Sequence, residues 1–305
     1  MQRLYEIFSR ANIPTKTNES LKGYTTFNIG GCAPLIVFPK TTDQVVFIIN
    51  ECNASKYPLY VLGQGSNLLI SDSGIGGVVL STRNLNELHY CESTVIAQAG
   101  VKLFRFISES AKHNLSGMEN LFGIPGSIGG GIRMNCGAYG TDIASKIRYV
   151  DAIHLKTGQH KRFLKKECLF AYRQSIFQSQ PYVIIGAAFS LYKGINQAIF
   201  NKMQVILKER KSKQPYNQYS AGSIFKRPAN GFAAEMIQDV GLKGLQIGDA
   251  FVSNLHAGFI VNHDKAKSSD VIELIKIIKQ KVFEKYGINL NCEIEIWEEN
   301  DVIYE

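Results

Sequence analysis

The chain has 305 residues, of which 45% are hydrophobic and 20% charged, and its formal net charge is +8. This length allows two or three packed units, and this composition excludes disordered and fibrous proteins. No apolar run approaches roughly 18 residues, and the first ten residues alternate charged with apolar side chains. We therefore expect neither a membrane-spanning helix nor a secretory signal.

The net charge favours anionic partners, although a solvated basic surface would explain it equally well. The basic stretch 208–213 lies in no nucleic-acid module, so phosphorylated small molecules are the expected partners, with no nucleic acid and no membrane. The six cysteines are far apart in the sequence and form no C-x-x-C pair. We therefore expect reduced thiols, no metal site and a cytosolic protein.

In the first part of the chain, residues 1–20 predict a short amphipathic helix followed by a polar link. The β-branched and aromatic runs at 25–38, interrupted by Gly30 and Gly31, predict two strands around a tight turn. Residues 42–55 predict a helix with one apolar face, and Thr41 or Thr42 is available as its N-cap. The remaining elements predicted here are strands at 57–62, 78–81 and 93–99 and a helix at 102–114.

A long glycine-rich segment, residues 123–140, separates these elements from the second part of the chain. The polar stretch 211–218 contains a proline and predicts a domain junction. Helices and strands alternate, which predicts a mixed α and β protein. The elements predicted after the glycine-rich segment are strands at 150–155, 183–191 and 292–297 and helices at 198–210, 233–240 and 269–286.

Two glycine-rich loops are the first candidates for a binding site. Residues 63–67, GQGSN, follow a predicted strand, and backbone N–H groups in such a turn can bind phosphate oxygens. The alternative is an ordinary turn between strands. Seven of the 18 residues 123–140 are glycine, and the segment carries Ile, Met and Tyr where a flexible linker would carry Ser and charge. Close contact with a large cofactor explains it better, and two such loops suggest a dinucleotide.

Other motifs are weaker when each is considered by itself. Ser223, in GSIFKRP at 222–228, most simply makes a routine hydrogen bond in a loop, and Arg173, in YRQS at 172–175, is either a surface residue or a clamp for a carboxylate. Glu293 and Glu295 share one face of the last predicted strand, and the simplest interpretation is that both carboxylates are solvated. His256 and His263 are more often structural than catalytic in such apolar surroundings.

Taken together and in order, these segments resemble the UDP-N-acetylenolpyruvoylglucosamine reductase family. The resemblance extends over residues 25–297. It rests on TTFNIGG at 25–31, GQGSNLLISDSGIGGVV at 63–79, GIPGSIGGGIRMNCGAYG at 123–140, YRQS, KERKSKQP at 208–215, GSIFKRP, GLKGLQIGDAFVSNLHAGFIVN at 241–262 and the CEIEI strand.

The resemblance implies an α+β fold. It has a two-part FAD-binding region of the vanillyl-alcohol-oxidase type (residues 1–80 and 81–200) and a C-terminal α+β substrate-binding domain (residues 201–305). Members of the family use NADPH to reduce bound FAD and then reduce the enolpyruvyl group of a UDP-sugar, in bacterial peptidoglycan synthesis. A monomer is plausible.

The resemblance also assigns roles to residues. Ser223 would give the proton to C2 of the substrate, Arg173 and Glu293 would stabilise the intermediate, and Lys213 and Lys226 would contact the anionic substrate. The residues expected to bind FAD are Gly63, Gly65, Ser66, Asn67, Gly123, Pro125, Gly126, Ser127, Gly129, Gly130, Asn135, Gly137, Ala138 and Tyr139.

The sequence departs from the family at several positions. No substrate-covering Tyr loop lies between Arg173 and Lys213, which is typical of a shorter subgroup. Asn291 stands where an acidic residue is common and Glu295 where a basic one is common, so Glu295 is the alternative to Glu293. Asn254 and Leu255 replace a frequent lysine before His256. Two other functions were weighed, a flavin oxidase of the same superfamily and a non-catalytic flavin- or nucleotide-binding module.

Overall fold

The structure, a computed structural model, describes residues 1–299. Its first part contains a mixed four-stranded sheet in the order β1-β2-β5-β3, in which β2, β5 and β3 are parallel and β1 is antiparallel to β2. Helix α2 connects the parallel strands, as parallel pairing requires a crossover. The elements are α1 (Gln2–Arg10), β1 (Thr15–Ser20), β2 (Cys32–Val37), α2 (Thr42–Ala54), β3 (Leu59–Leu62), β4 (Leu68–Ile70) and β5 (Val78–Ser81).

Two of the predictions for this part are wrong. The polar link after the first helix is strand β1, whose partner β2 supplies the buried face that β1 itself lacks. The first strand predicted within 25–38 is absent, because Asn28 has φ 55° and Gly30 has φ 147°, which breaks an extended chain. The predicted helix over 42–55 is confirmed, with the Thr41 side chain accepting a hydrogen bond from the Gln44 N–H.

The middle part is built on a five-stranded antiparallel sheet in the order β12-β11-β13-β7-β6. Helix α3 packs on its buried face through side chains such as Phe106, whose ring lies 4.8 Å from that of Phe189. The elements are β6 (Leu88–Cys91), β7 (Thr94–Gln98), α3 (Leu103–Lys112), β8 (Leu115–Ser116), α4 (Ile128–Arg133), β9 (Gly137–Ala138), β10 (Thr141–Asp142), β11 (Ile147–His154), β12 (His160–Leu164), β13 (Tyr182–Ser190), β14 (Tyr192–Lys193) and α5 (Asn196–Lys213).

Helix α4 lies inside the glycine-rich segment and was not predicted, since three consecutive glycines disfavour a helix. Two of these glycines are required by packing. A Cβ on Gly129 would lie 3.0 Å from the Ala99 Cβ, and one on Gly131 would lie 3.0 Å from the Cys136 Sγ. The helix therefore depends on tertiary contacts that no local pattern records.

The last part contains a three-stranded antiparallel sheet, β15-β16-β17, packed against α7. The chain then returns to the first part, where β18 pairs in parallel with β4. Asp72 fixes this return by accepting hydrogen bonds from the Ser268 N–H and Oγ at 2.9 and 2.8 Å, at the start of α7. The elements are α6 (Ala233–Asp239), β15 (Gln246–Ile247), β16 (Ala250–Val252), β17 (Ile260–Asn262), α7 (Ser268–Tyr286) and β18 (Glu295–Trp297).

The polar stretch 211–218, predicted as a domain junction, is in part helical, because α5 continues to Lys213. Within residues 1–299, no helix combines the length and the apolar character needed to cross a bilayer.

Candidate active site

Two cavities meet at the glycine-rich segments. The larger has a volume of about 860 Å³ and the smaller about 130 Å³. Ser66, Asn67, Gly130 and Met134 line both cavities, so the two adjoin at the glycine-rich segments predicted to bind a dinucleotide. We call residues 63–67 and 123–131 the glycine loops.

The glycine loops are packed so closely that side chains would separate them. A Cβ on Gly63 would lie 2.9 Å from the Ser127 Oγ, and one on Gly126 would lie 3.1 Å from the Ser66 Oγ. Gly65 is the most constrained, because its φ is +63° and a Cβ would lie 2.2 Å from the Tyr24 carbonyl oxygen. At its glycines the wall between the cavities therefore exposes backbone, and Ser66, Asn67 and Met134 also belong to the shared lining.

This arrangement fits the dinucleotide FAD. A bare backbone wall lets a diphosphate approach its N–H groups closely, and the hydroxyl of Ser66 and the amide of Asn67 stand on the same wall. A cavity on each side offers one space for each end of the molecule. Of the residues predicted to bind FAD, those that line one or both cavities are Gly63, Gly65, Ser66, Asn67, Pro125, Gly126, Ser127, Gly129, Gly130, Gly137, Ala138 and Tyr139.

The other two predicted FAD residues, Gly123 and Asn135, line neither cavity. Gly123 has φ +83°, and a Cβ added to it would lie 3.0 Å from the Arg210 Cδ. Asn135 is buried and has φ 42°. Its side-chain amide donates to the Ala171 carbonyl at 2.8 Å, so it braces the backbone around the larger cavity.

The three residues predicted to be catalytic, Arg173, Ser223 and Glu293, all line the larger cavity, and we call them the catalytic group after that prediction. Arg173 Nε donates to Glu293 Oε1 at 2.5 Å and its Nη2 donates to the Gly137 carbonyl at 3.0 Å. The N–H of Glu293 donates to the Ile224 carbonyl at 2.7 Å, which places the last strand beside the loop that carries Ser223. Residues 120 positions apart are thus joined in one ion pair.

Glu293 is a mostly buried carboxyl whose pKa is shifted by its surroundings. Burial raises this pKa, although the Arg173 guanidinium and, more weakly, Lys226 lower it. A carboxyl whose pKa is raised can be held as the neutral acid at higher pH than usual. The prediction of solvated carboxylates on a strand face is wrong for Glu293, since its side chain is 14% exposed and it precedes β18.

The charge of the larger cavity suits an anion. Among the described residues that line it, four cations face two carboxylates, those of Glu209 and Glu293; the cations are Arg173, Arg210, Lys213 and Arg227. Lys213 donates to Glu209 Oε1 at 2.5 Å, and this contact raises the pKa of Lys213. Lys226, the other lysine predicted to contact substrate, lies outside the lining.

Glu295, the alternative to Glu293, faces the smaller cavity. Its Oε1 accepts a hydrogen bond from Arg133 Nε at 2.8 Å. Glu293 therefore pairs with Arg173 in the larger cavity, and Glu295 pairs with Arg133 in the smaller cavity. Glu295 is not in the lining of the larger cavity, where the catalytic group lies.

Several lining residues were missed by the sequence analysis. Arg210 is buried, donates to the Phe122 carbonyl at 2.9 Å and lies 5.2 Å from the Tyr139 ring, although its position in a basic run suggested a solvated side chain. His256, named above as more often structural, also lines this cavity; burial lowers its pKa and raises that of the Cys136 thiol to about 12. Tyr216, the one aromatic residue of the 211–218 stretch, was the available signal at this wall.

Comparison with known proteins identifies two regions. Residues 33–163 match a family of FAD binding domains, and residues 214–297 match the C-terminal domain of UDP-N-acetylenolpyruvoylglucosamine reductase. The matches confirm the predicted fold class as an α+β chain with a FAD-binding region followed by the C-terminal domain of the reductase family.

Full-length relatives agree with this division. The chain is 40% identical over 295 residues to UDP-N-acetylenolpyruvoylglucosamine reductase of Clostridium novyi, covering 97% of this chain and 95% of that protein. It is 42% identical over 285 residues to the enzyme of Pseudothermotoga lettingae, covering 92% and 97%. The crystal structure of the Thermus caldophilus enzyme is similar with a TM-score of 0.79 and 31% identity, covering 94% of this chain and 99% of that one. The chain therefore belongs to the UDP-N-acetylenolpyruvoylglucosamine reductase family.

Proposed function

We propose that this chain uses NADPH and bound FAD to reduce the enolpyruvyl group of UDP-N-acetylglucosamine enolpyruvate, giving UDP-N-acetylmuramate for peptidoglycan synthesis. Membership of the family supports this reaction. The observation that carries the residue assignments is the Arg173–Glu293 ion pair, which lines the same cavity as Ser223 and the glycine loops. When bound, FAD would take hydride from NADPH and supply it to C3 of the enol ether.

The catalytic group then acts on the charge that this reduction creates. Hydride addition leaves negative charge on C2 of the substrate, and this charge is shared with the adjacent carboxylate. Arg173 suits that carboxylate because its fork-shaped guanidinium can bind two oxygens. Glu293 fixes the direction of Arg173 by accepting the hydrogen bond from its Nε, so that the cation is already in place where the negative charge develops.

Ser223 would deliver the proton to C2. A serine hydroxyl is a weak acid, so it can serve only a strongly basic carbon to which it is well positioned. Gly222, with φ +79°, lets the chain turn just before it, and Ser223 pairs across a β-bridge with Phe259. Its position is thereby fixed by the backbone on both sides.

The same argument extends to the three predicted domains. The glycine loop 63–67 belongs to residues 1–80 and the loop 123–131 to residues 81–200, so we propose that these two parts hold FAD. Ser223 and Glu293 belong to residues 201–305, which we propose cover the substrate. The six cysteines are free thiols, in agreement with the reducing cytosol as the proposed compartment.

The experiment that tests this function is a two-step reduction without oxygen. The purified protein is loaded with FAD, NADPH is added and the flavin absorbance is followed. The enolpyruvyl UDP-sugar is then added. We expect NADPH to bleach the flavin and the substrate to restore its colour; failure to take up FAD would overturn the proposal, and rapid oxygen consumption with an alcohol would favour an oxidase.

The role of Ser223 is tested in the same assay with Ser223→Ala. We expect NADPH to bleach the flavin at the normal rate and the second step to stall, because no group remains to protonate C2. Ser179→Ala is the matched control, since Ser179 is exposed and bonds only to the Ile176 carbonyl at 3.3 Å. Normal turnover by Ser223→Ala would contradict the assignment.

A further inference from the structure

The smaller cavity contains an ion pair that the proposed reaction does not use. Arg133, at the end of α4, donates through Nε to Glu295 Oε1 at 2.8 Å and through Nη1 to the Phe177 carbonyl. The two side chains are 25% and 35% exposed, and both line the cavity. The pair joins the middle part of the chain to the last strand, β18.

The rest of this cavity is uncharged. Among the described residues that line it, Arg133 is the only cation and Glu295 the only anion, and the others are apolar or neutral, such as Tyr182, Ile184 and Trp297. An apolar cavity with a few placed polar groups is typical of a site for part of a ligand. Here those placed charges are a single arginine and the carboxylate that orients it.

The position of the cavity indicates which part of the cofactor it would receive. The catalytic group lies in the larger cavity, so the reacting ring of FAD has to reach that side. The glycine loops form the wall shared by the two cavities and suit the diphosphate. The smaller cavity then lies on the other side of the diphosphate from the reacting ring, and Arg133 is the cation that lines it among the described residues.

We propose that Arg133 is a cofactor-binding residue that attracts the diphosphate of FAD, and that Glu295 is the positioning residue that orients it. This proposal rests on the proposed use of FAD. Glu295 without Arg133 would place an unpaired carboxylate next to two phosphate charges, and like charges at short range repel each other. Arg133 without Glu295 would keep its charge and lose its direction.

The measurement is the dissociation constant of FAD from the apoprotein, by quenching of flavin fluorescence. We expect Arg133→Gln to weaken FAD binding on the order of 10- to 100-fold, the usual effect of losing a charged hydrogen bond and leaving its partner unpaired. The slope of log Kd against log salt concentration should also become shallower, because one cation no longer faces the diphosphate. A purely structural role would leave that slope unchanged.

A charge-exchange variant separates electrostatics from packing. Arg133→Glu combined with Glu295→Arg keeps an ion pair in the cavity but removes the cation from position 133, and we expect its FAD affinity to be no higher than that of Arg133→Gln. If Arg133→Gln fails to fold, Arg133→Gln combined with Glu295→Gln removes both charges and leaves no unpaired carboxylate. That double variant should still bind FAD more weakly than the unmodified protein and show the shallower salt slope.

A control makes the proposal falsifiable. Arg162→Gln breaks the exposed pair with Asp151 and should leave the Kd of FAD within about twofold. Unchanged FAD affinity in a folded Arg133→Gln protein would overturn this proposal, as would recovery of FAD binding by the charge exchange, since the ion pair would then act only as a link between two elements. The unmodified protein would still bind FAD and turn over in that case, so the proposed function would stand.

Discussion

The glycine loops and the catalytic group face the same large cavity but are built in opposite ways. The loops are two contiguous stretches whose backbones touch, and at Gly65 a single added carbon would lie 2.2 Å from another backbone atom. The catalytic group is made of side chains from three distant parts of the chain, joined by the Arg173–Glu293 contact and the backbone bond from Glu293 to Ile224. A change in side-chain size should therefore disturb the glycine loops most, and a change in side-chain chemistry should disturb the catalytic group most.

The largest effect, a loss of activity, should come from changing the chemistry of the catalytic group while keeping a side chain of similar size. Arg173→Lys keeps the charge and loses the fork, and we expect the rate of the second step to fall by about 100- to 1000-fold. FAD content and the bleaching by NADPH should remain normal. Arg162→Lys, at an exposed pair with Asp151, is the control and should change nothing measurable. Loss of FAD from Arg173→Lys would show that the two regions are not separable.

The next largest effect, a loss of stability, should come from adding a side chain to a glycine loop. Gly65→Ala adds only a methyl group, but it meets the Tyr24 carbonyl and has to adopt φ +63°. We expect a loss of roughly 3 kcal/mol or more in the free energy of unfolding, together with loss of FAD. Gly140→Ala is the matched control, because Gly140 has φ +74° with no atom within 4 Å of the added carbon. Its cost should be only about 1 kcal/mol, measured by urea unfolding.

The burial of Glu293 predicts a pH dependence of stability. Its pKa is raised in the folded protein, so its contribution to stability is fully present below the ordinary carboxyl pKa and is lost as the pH rises through the raised value. The unmodified protein should therefore lose stability relative to Glu293→Gln as the pH rises above the ordinary carboxyl pKa of about 4.3. Urea unfolding of both proteins at several pH values measures this loss. A gain in the stability of the unmodified protein relative to Glu293→Gln as the pH rises would mean that Arg173 outweighs burial.

The smallest effect should lie outside both regions, at the contact that fixes the last part of the chain. Asp72→Ala removes the acceptor of the Ser268 N–H and Oγ bonds, and we expect a loss of about 1 kcal/mol in the free energy of unfolding. Asp43→Ala, in the exposed first turn of α2, should cost less. Turnover at 25 °C should be unchanged in both, and a fall in the second step for Asp72→Ala would extend the catalytic region to this contact.

The same contrast explains what the sequence could predict. The glycine loops are local, so their composition was sufficient to suggest a dinucleotide, and the helix over 42–55 was predicted from its periodicity and cap. Helix α4 could not be predicted, because Gly129 and Gly131 are selected by contacts with Ala99 and Cys136. Strand β1 was missed for a similar reason, since its polar residues obtain their buried neighbours from β2.

The catalytic group could be predicted only from the resemblance to the family. Nothing in the local sequence distinguishes Glu293 from Glu295, two residues away on the same stretch. Their separation into different cavities follows from tertiary partners, Arg173 for one and Arg133 for the other. Arg210 was likewise hidden in a run of charges, and only the fold shows that it is buried against Phe122.

The return of the last strand to the first part of the chain has a consequence for biosynthesis. Asn67, in the first glycine loop, donates its side-chain amide to the Glu293 carbonyl at 2.9 Å, and its own carbonyl accepts from the Glu295 N–H at 2.9 Å. The loop encoded near the start of the message thus obtains two of its hydrogen bonds from residues translated near the end. A nascent chain that still lacks Glu293 and Glu295 cannot make these two bonds, so the loop 63–67 gains its final hydrogen bonding only after β18 has been synthesised and paired with β4.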